Sequence, residues 1–213
     1  MSYVKAPGNL GYFGGARHGL AKHRRTHGTP DWLVVCNVDL TFDTRALIQR
    51  LAGIQDANIG VIAPQIISTA SGRQLNPYMT RRPTRLRMHV YKWLFQSYIG
   101  LSMYSVASEW LLKRRSSVRS DHKIPRRIYA AHGAFMIFSK RYFTCGATLE
   151  HPPFLFGEEI SVAEQARNAG LSVIYDPQIR VEHEEHVSIS TLPSRRVQAF
   201  HAEAAAFIAE KYF

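Results

Sequence analysis

Apolar residues fall in two rhythms along this chain. Short unbroken runs read as strands buried on both faces, and runs with a three-to-four-residue spacing read as helices with one face inward. The first strand is Asp31-Trp32-Leu33-Val34-Val35-Cys36, after Pro30. Asp43 then caps a helix whose inner face is Leu47, Ile48, Leu51 and Ile54. Ile59-Gly60-Val61-Ile62-Ala63 is a second buried strand, stopped by Pro64. A strand-helix-strand unit of this length predicts a parallel pair with a right-handed crossover.

The pattern resumes after Pro125. Tyr129 to Phe138 reads as a strand, and Ser139 opens a short helix towards Gly146. Ile160 to Ala169 reads as a helix closed by Gly170, with Glu158 and Glu159 in its first turn. Leu171 to Tyr175 and Gln178 to His183 read as two further strands. Ser194 begins a closing helix with Val197, Phe200, Ala204, Phe207 and Ile208 inward. The expected class is α/β: a mixed, mostly parallel sheet flanked by helices, in a single domain over residues 1–213.

Residues 80–127 interrupt the alternation. Tyr91, Leu94, Tyr98, Leu101 and Tyr104 share one helical face, and Lys92, Gln96 and Gly100 share another. Most of the formal net charge of +11 sits here, where Arg81, Arg82, Arg85, Arg87, Lys92, Lys113, Arg114, Arg115, Arg119, Lys123, Arg126 and Arg127 face only Glu109 and Asp121. The segment therefore reads as a basic amphipathic helical insertion, too polar to span a bilayer. Two roles stay open for it: peripheral contact with an anionic membrane, or packing on its own domain with a solvated basic rim. Hydrophobic content of 46% and charged content of 20% over 213 residues describe a globular chain with a proper core. Cys36 and Cys145 have no metal-site spacing, Cys36 reads as a buried thiol, and Met1 to Gly8 has no apolar signal core. A reducing cytoplasmic setting is the expectation, with peripheral placement at the inner face of the plasma membrane if the insertion meets lipid.

Four pieces carry candidate chemistry. Glu158 and Glu159 sit where a helix N-terminus stabilises an ionised carboxylate that can act as a base. Asn37-Val38-Asp39 follows a buried strand, and a carboxylate there can hold Mg²⁺ or Mn²⁺ against a diphosphate. His183 ends the last strand and is a reasonable Mn²⁺ ligand, with His186 and Ser188 beyond it. Zinc would need a third close ligand, and no such pattern is present. Asn9-Leu10-Gly11-Tyr12-Phe13-Gly14-Gly15-Ala16-Arg17-His18-Gly19 is a glycine-rich stretch leading into a helix, whose backbone amides suit a phosphate or a sugar. It is neither a Walker loop nor a dinucleotide turn.

In this order the pieces resemble the family-2 inverting glycosyltransferases of GT-A fold, in the rhamnosyltransferase-like branch of bacterial surface polysaccharide synthesis. Asn9 to Gly19 is similar to that branch's Asn-Leu-Gly-Phe-x-Gly-Gly-x-Asn-x-Gly, and Asn37-Val38-Asp39 to its Asn-Pro-Asp. Gly133 to Lys140, Phe154 to Val162 and His183 to Ser188 resemble its three later motifs. The resemblance implies a nucleotide-diphospho-sugar donor, a divalent metal (Mg²⁺ or Mn²⁺), and a glycan or polyprenyl-linked acceptor, as in O-antigen or capsule synthesis. It implies that Asp39 and His183 hold the metal, and that Asn9, Gly11, Gly14, Gly15, Asn37, Asp39, Gly133 and Ala134 line the donor site. It further implies that Glu159 is the catalytic base and that Glu158 orients the acceptor.

Glu159 stands where the family has Asp, Val38 where it has Pro, His186 where it has Gly, and Ser161 where it has a further acidic residue. The family's opening strands, which bind nucleobase and ribose, have no counterpart here. The expectation is therefore an N-terminally incomplete enzyme or a non-catalytic remnant of the fold. A nucleic-acid-binding module is the weaker alternative. Cations interleave with Tyr91, Trp93 and Phe95, but no recognition motif accompanies them and no nucleic-acid partner is expected.

Overall fold

A computed structural model describes residues 3–115, 124–184 and 194–213. The elements in chain order are α1 (Tyr12–His27), β1 (Trp32–Cys36), β2 (Leu40–Phe42), α2 (Thr44–Ala52), β3 (Ile59–Ser68), α3 (Arg85–Leu94) and α4 (Tyr98–Arg115). They continue with β4 (Arg126–Ile128), β5 (Phe135–Ser139), α5 (Lys140–Thr144), α6 (Glu158–Asn168), β6 (Ser172–His183) and α7 (Arg195–Tyr212).

The sheet runs β1-β5-β3-β6-β2, with β4 also paired to β6. It is mixed, as expected, but not mostly parallel: only β3 and β6 run parallel among the paired strands described. The expected neighbours β1 and β3 do share a direction. The late strand β5 lies between them, antiparallel to both. Hydropathy shows that a strand is buried on both faces and is silent about who sits beside it.

Two expected strands fuse and one shrinks. Residues 172–183 form a single long strand whose register on β3 shifts between Pro64 and Gln65. Asp176 lies at that irregularity, buried, taking the Gln178 amide at 3.0 Å and the Arg50 guanidinium at 2.8 Å. In contrast, only Phe135–Ser139 of the expected Tyr129–Phe138 strand is regular. Residues 131–134 turn at the sheet's end instead.

Alternate residues of β5 enter two cores. Met136 and Phe138 join Val61, Tyr142, Val162 and Tyr175 under α1, α5 and α6. Phe135 and Ile137 join Leu47, Leu51, Ile62 and Ile66 under α2. The caps are as the sequence reads. Asp43 accepts the Arg45 and Ala46 amides at 2.8 and 3.0 Å, and Ser139 and Ser194 accept the Tyr142 and Val197 amides. Beyond α6, Gly170 takes the left-handed conformation while the Leu171 amide returns to the Ala166 carbonyl at 2.8 Å.

The basic insertion is two helices rather than one. The chain breaks at Phe95–Ser97, and both α3 and α4 pack on α7. The buried carboxylate of Glu164 ties this helical layer to α6. Arg82 grips it with two bonds of 2.7 and 3.0 Å, Tyr129 donates at 2.7 Å, and Arg167 stands at 3.3 Å. Arg82 also donates to the Tyr212 carbonyl at 3.0 Å and stacks over Phe213. At the other end of the molecule β1 is the sheet's last strand. A groove of about 800 Å³ runs beside it, lined by Trp32, Cys36, Leu47 and Ile48 among others. Cys36 is half-buried there and burial pushes its thiol up, while Cys145 is exposed.

Candidate functional site

The candidate residues converge on one end of the sheet. Antiparallel pairing sets Cys36, the end of β1, against Phe135, the start of β5. His183, the end of β6, pairs with Leu40 of β2. The Asn37 amide then donates to the Ala134 carbonyl at 2.9 Å, and the Glu184 amide to the Asp39 carbonyl at 3.0 Å. Asp39 and His183, far apart in sequence, are brought side by side: Nε2 of His183 lies 3.3 Å from Oδ2 of Asp39. Among the described residues the far atoms of the pair, Asp39 Oδ1 and His183 Nδ1, are buried without a hydrogen-bond partner. Val38, which precedes Asp39, is fully exposed. His186 and Ser188 lie outside the described residues.

Glu159 reaches the same end of the sheet from α6. Its Oε1 accepts the Gly133 amide at 3.3 Å. A Cβ on residue 133 would stand 2.7 Å from that oxygen, so only glycine lets the carboxylate settle there. The bare position thus serves Glu159. The resemblance assigned the space to a donor sugar. Ala134 is also redirected, for its methyl belongs to the core under α2. Its backbone still serves the site, its carbonyl holding Asn37 and its amide donating to His132 Nδ1 at 3.1 Å.

The glycine-rich segment holds the turn before α6. Gly11 has φ +73°, and a Cβ there would lie 2.5 Å from the Phe154 carbonyl, so the 154–157 loop presses directly on its backbone. Asn9 spends its side chain on the Gly11 amide at 3.2 Å. Gly14 and Gly15 fall inside the first turn of α1, and the Gly15 amide is taken by the Gly11 carbonyl. Neither Asn9 nor Gly15 therefore offers the free group that the sequence suggested. The residue of this segment that touches the site is Tyr12, whose hydroxyl donates to the Gly133 carbonyl at 2.6 Å.

Three more residues were invisible in the sequence reading. Asn76 is buried and takes the His132 amide at 2.9 Å while donating to the Pro64 carbonyl at 3.0 Å, which fixes the 132–134 turn. Tyr78 sets its ring edge-on to His132 and remains 43% exposed. The nearby Glu159 charge is the chief cause that raises its hydroxyl pKa, with burial second. His151 accounts for the turn itself. Its ring contacts the Ser161 hydroxyl and the Phe156 carbonyl, both at 2.8 Å, and holds Phe156 at φ +73°. No short motif announces a role of this kind, because each residue acts through tertiary neighbours.

The two glutamates are unequal. Glu158 is 6% exposed and folds back to accept the Phe156 amide at 3.1 Å. That inward pose does not suit the acceptor-orienting role implied by resemblance. Burial first, then the Glu159 charge, pushes its carboxyl up to about 7. Glu159 keeps some exposure, and burial raises it against the opposing pull of its own and the Gly133 amide. An unfolded Glu titrates near 4.5, so between that pH and about 7 the folded chain binds more protons and loses stability as pH rises. Glu158→Gln keeps an oxygen for the Phe156 amide and removes this penalty. We expect the variant to exceed the parent in stability by about 3 kcal/mol at pH 8, with the difference vanishing towards pH 4.5. Urea unfolding at stepped pH checks this, and a difference independent of pH would refute it.

No protein-family model matches this chain, and no curated protein matches it either.

Proposed function

We propose that this chain is a metal-dependent inverting glycosyltransferase domain acting in bacterial surface polysaccharide synthesis. It would move a sugar from a nucleoside-diphosphate donor to a hydroxyl of a glycan or lipid-linked acceptor. The observation that carries the reading is the Asp39–His183 contact at the end of the sheet where Gly133 holds Glu159 and the next residue's carbonyl holds Asn37.

The donor set fits the metal that the resemblance implies. A carboxylate and an imidazole suit Mn²⁺, and the two side chains stand side by side, with Asp39 Oδ1 buried and unpartnered among the described residues. Among the described residues no cluster of three or more His, Cys, Asp or Glu forms. A metal held by Asp39 and His183 would keep positions for diphosphate and water. The metal, when bound, would neutralise charge on the departing diphosphate. Glu159 would accept the proton of the acceptor hydroxyl as its oxygen attacks the anomeric carbon from the face opposite the diphosphate. The Gly133 amide would hold that carboxylate in place. Tyr78, exposed beside Glu159, would offer its ring to a sugar.

Calorimetric titration with uridine, thymidine and guanosine diphosphates, with and without Mn²⁺, tests the donor half. One of them should bind in a Mn²⁺-dependent manner, and Asp39→Ala or His183→Ala should weaken that binding by about 10–100-fold. No binding of any of the three under either condition would leave a non-catalytic remnant of the fold as the better account.

A further inference from the structure

Tyr91, Leu94, Leu101 and Tyr104, four members of the helical face that stands out in the sequence, turn inward with Phe95 onto Ala205 of α7. The outward faces of the same two helices are apolar as well. Leu86, Val90 and Trp93 recur at helical spacing on α3, as do Ile99, Met103 and Val106 on α4, and all are exposed. Trp93 is 78% exposed, Ile99 69% and Met103 67%. Both helices pack on α7 through their opposite faces, so both stripes point away from it.

An exposed apolar surface rimmed by charge marks a contact site. Here the charge identifies the occupant. Arg85 and His89 flank the stripe on α3, and α4 ends in the sequence Lys113-Arg114-Arg115. Anionic headgroups above an acyl layer complement both features, whereas an apolar protein face would leave the cations unanswered. Trp is also the side chain best suited to a membrane–water boundary. Among the described residues no helix is long and apolar enough to cross a membrane.

We propose that the outward face of α3 and α4 docks on an anionic lipid bilayer, lying in the plane of the interface. Trp93, Ile99 and Met103 enter the acyl boundary, and the flanking arginines meet lipid phosphates. Met88, on the inner side of α3, shares a core cluster with Ile160 of α6. α3 therefore packs by its inner side against the helix that begins with the two glutamates. The proposal stands apart from sugar transfer, since none of these surface residues belongs to the site described above.

Co-sedimentation with vesicles tests it. The chain should bind equimolar phosphatidylcholine and phosphatidylglycerol, should bind phosphatidylcholine alone much more weakly, and should lose binding as salt rises. Trp93→Ser/Ile99→Ser/Met103→Ser should reduce binding by about tenfold or more with thermal unfolding unchanged, because these side chains are largely solvated. Arg85→Glu should weaken binding to the anionic vesicles only. The proposal is overturned if the parent chain ignores anionic vesicles, binds both kinds equally, or binds as well with the triple substitution. It also falls if light scattering shows a dimer that the triple substitution converts to monomer, which would make the face a contact between copies.

Discussion

Under the proposed function, Glu159→Gln should abolish sugar transfer, by about 10²–10⁴-fold, while the fold survives. The amide keeps the length of the side chain and an oxygen for the Gly133 N–H, at 3.3 Å in the parent. What it loses is the ability to accept a proton. Gly133→Ala attacks the same geometry from the other side. Its methyl would stand 2.7 Å from the Glu159 oxygen and so push that carboxylate off its anchor. The measurement is initial release of nucleoside diphosphate from a panel of nucleotide sugars, with acceptor present. Retained turnover in Glu159→Gln would remove the proton-accepting role from this residue.

Arg82→Met should cost about 3 kcal/mol of stability, or roughly 10 °C in the midpoint of unfolding. Arg82 supplies two of the bonds that compensate the buried Glu164 carboxylate, together with a link to the Tyr212 carbonyl. Removing it leaves a charge with almost no access to water and, among the described residues, Tyr129 and Arg167 as its remaining partners. Arg82→Met/Glu164→Met should recover part of the loss, because an apolar pair replaces the stranded carboxylate. Urea denaturation of both variants decides the matter. A double variant less stable than Arg82→Met alone would show that the cost lies in packing rather than in the abandoned charge.

The placement of several candidate residues was legible in the sequence, and the physical reasons are local. The buried run ending at Cys36 marks where a strand delivers Asn37-Val38-Asp39, and the Gly157-Glu158-Glu159 break marks a helix start. The strand ending at His183 follows from its apolar alternation, and its end does meet Asp39. What failed depended on neighbours. Nothing in the run Tyr129 to Phe138 says that its first half bends around Asn76 or that its second half slips between β1 and β3. Glu158 and Glu159 look alike in sequence, yet one is spent on Phe156 and the other on Gly133. The two apolar faces of α3 and α4 could not be told apart, since periodicity finds a stripe and only packing against α7 decides which stripe is covered.

The position of β1 has a practical corollary. Among the described residues its backbone bonds to β5 on one side only, so the opposite row of amides and carbonyls is an unfilled seam alongside an oily trough. Any extended peptide reaching that seam can lengthen the sheet by one strand, another molecule of the same chain included. When the protein is concentrated, clumping should begin at Trp32–Cys36, and a charged substitution there is the first remedy to try.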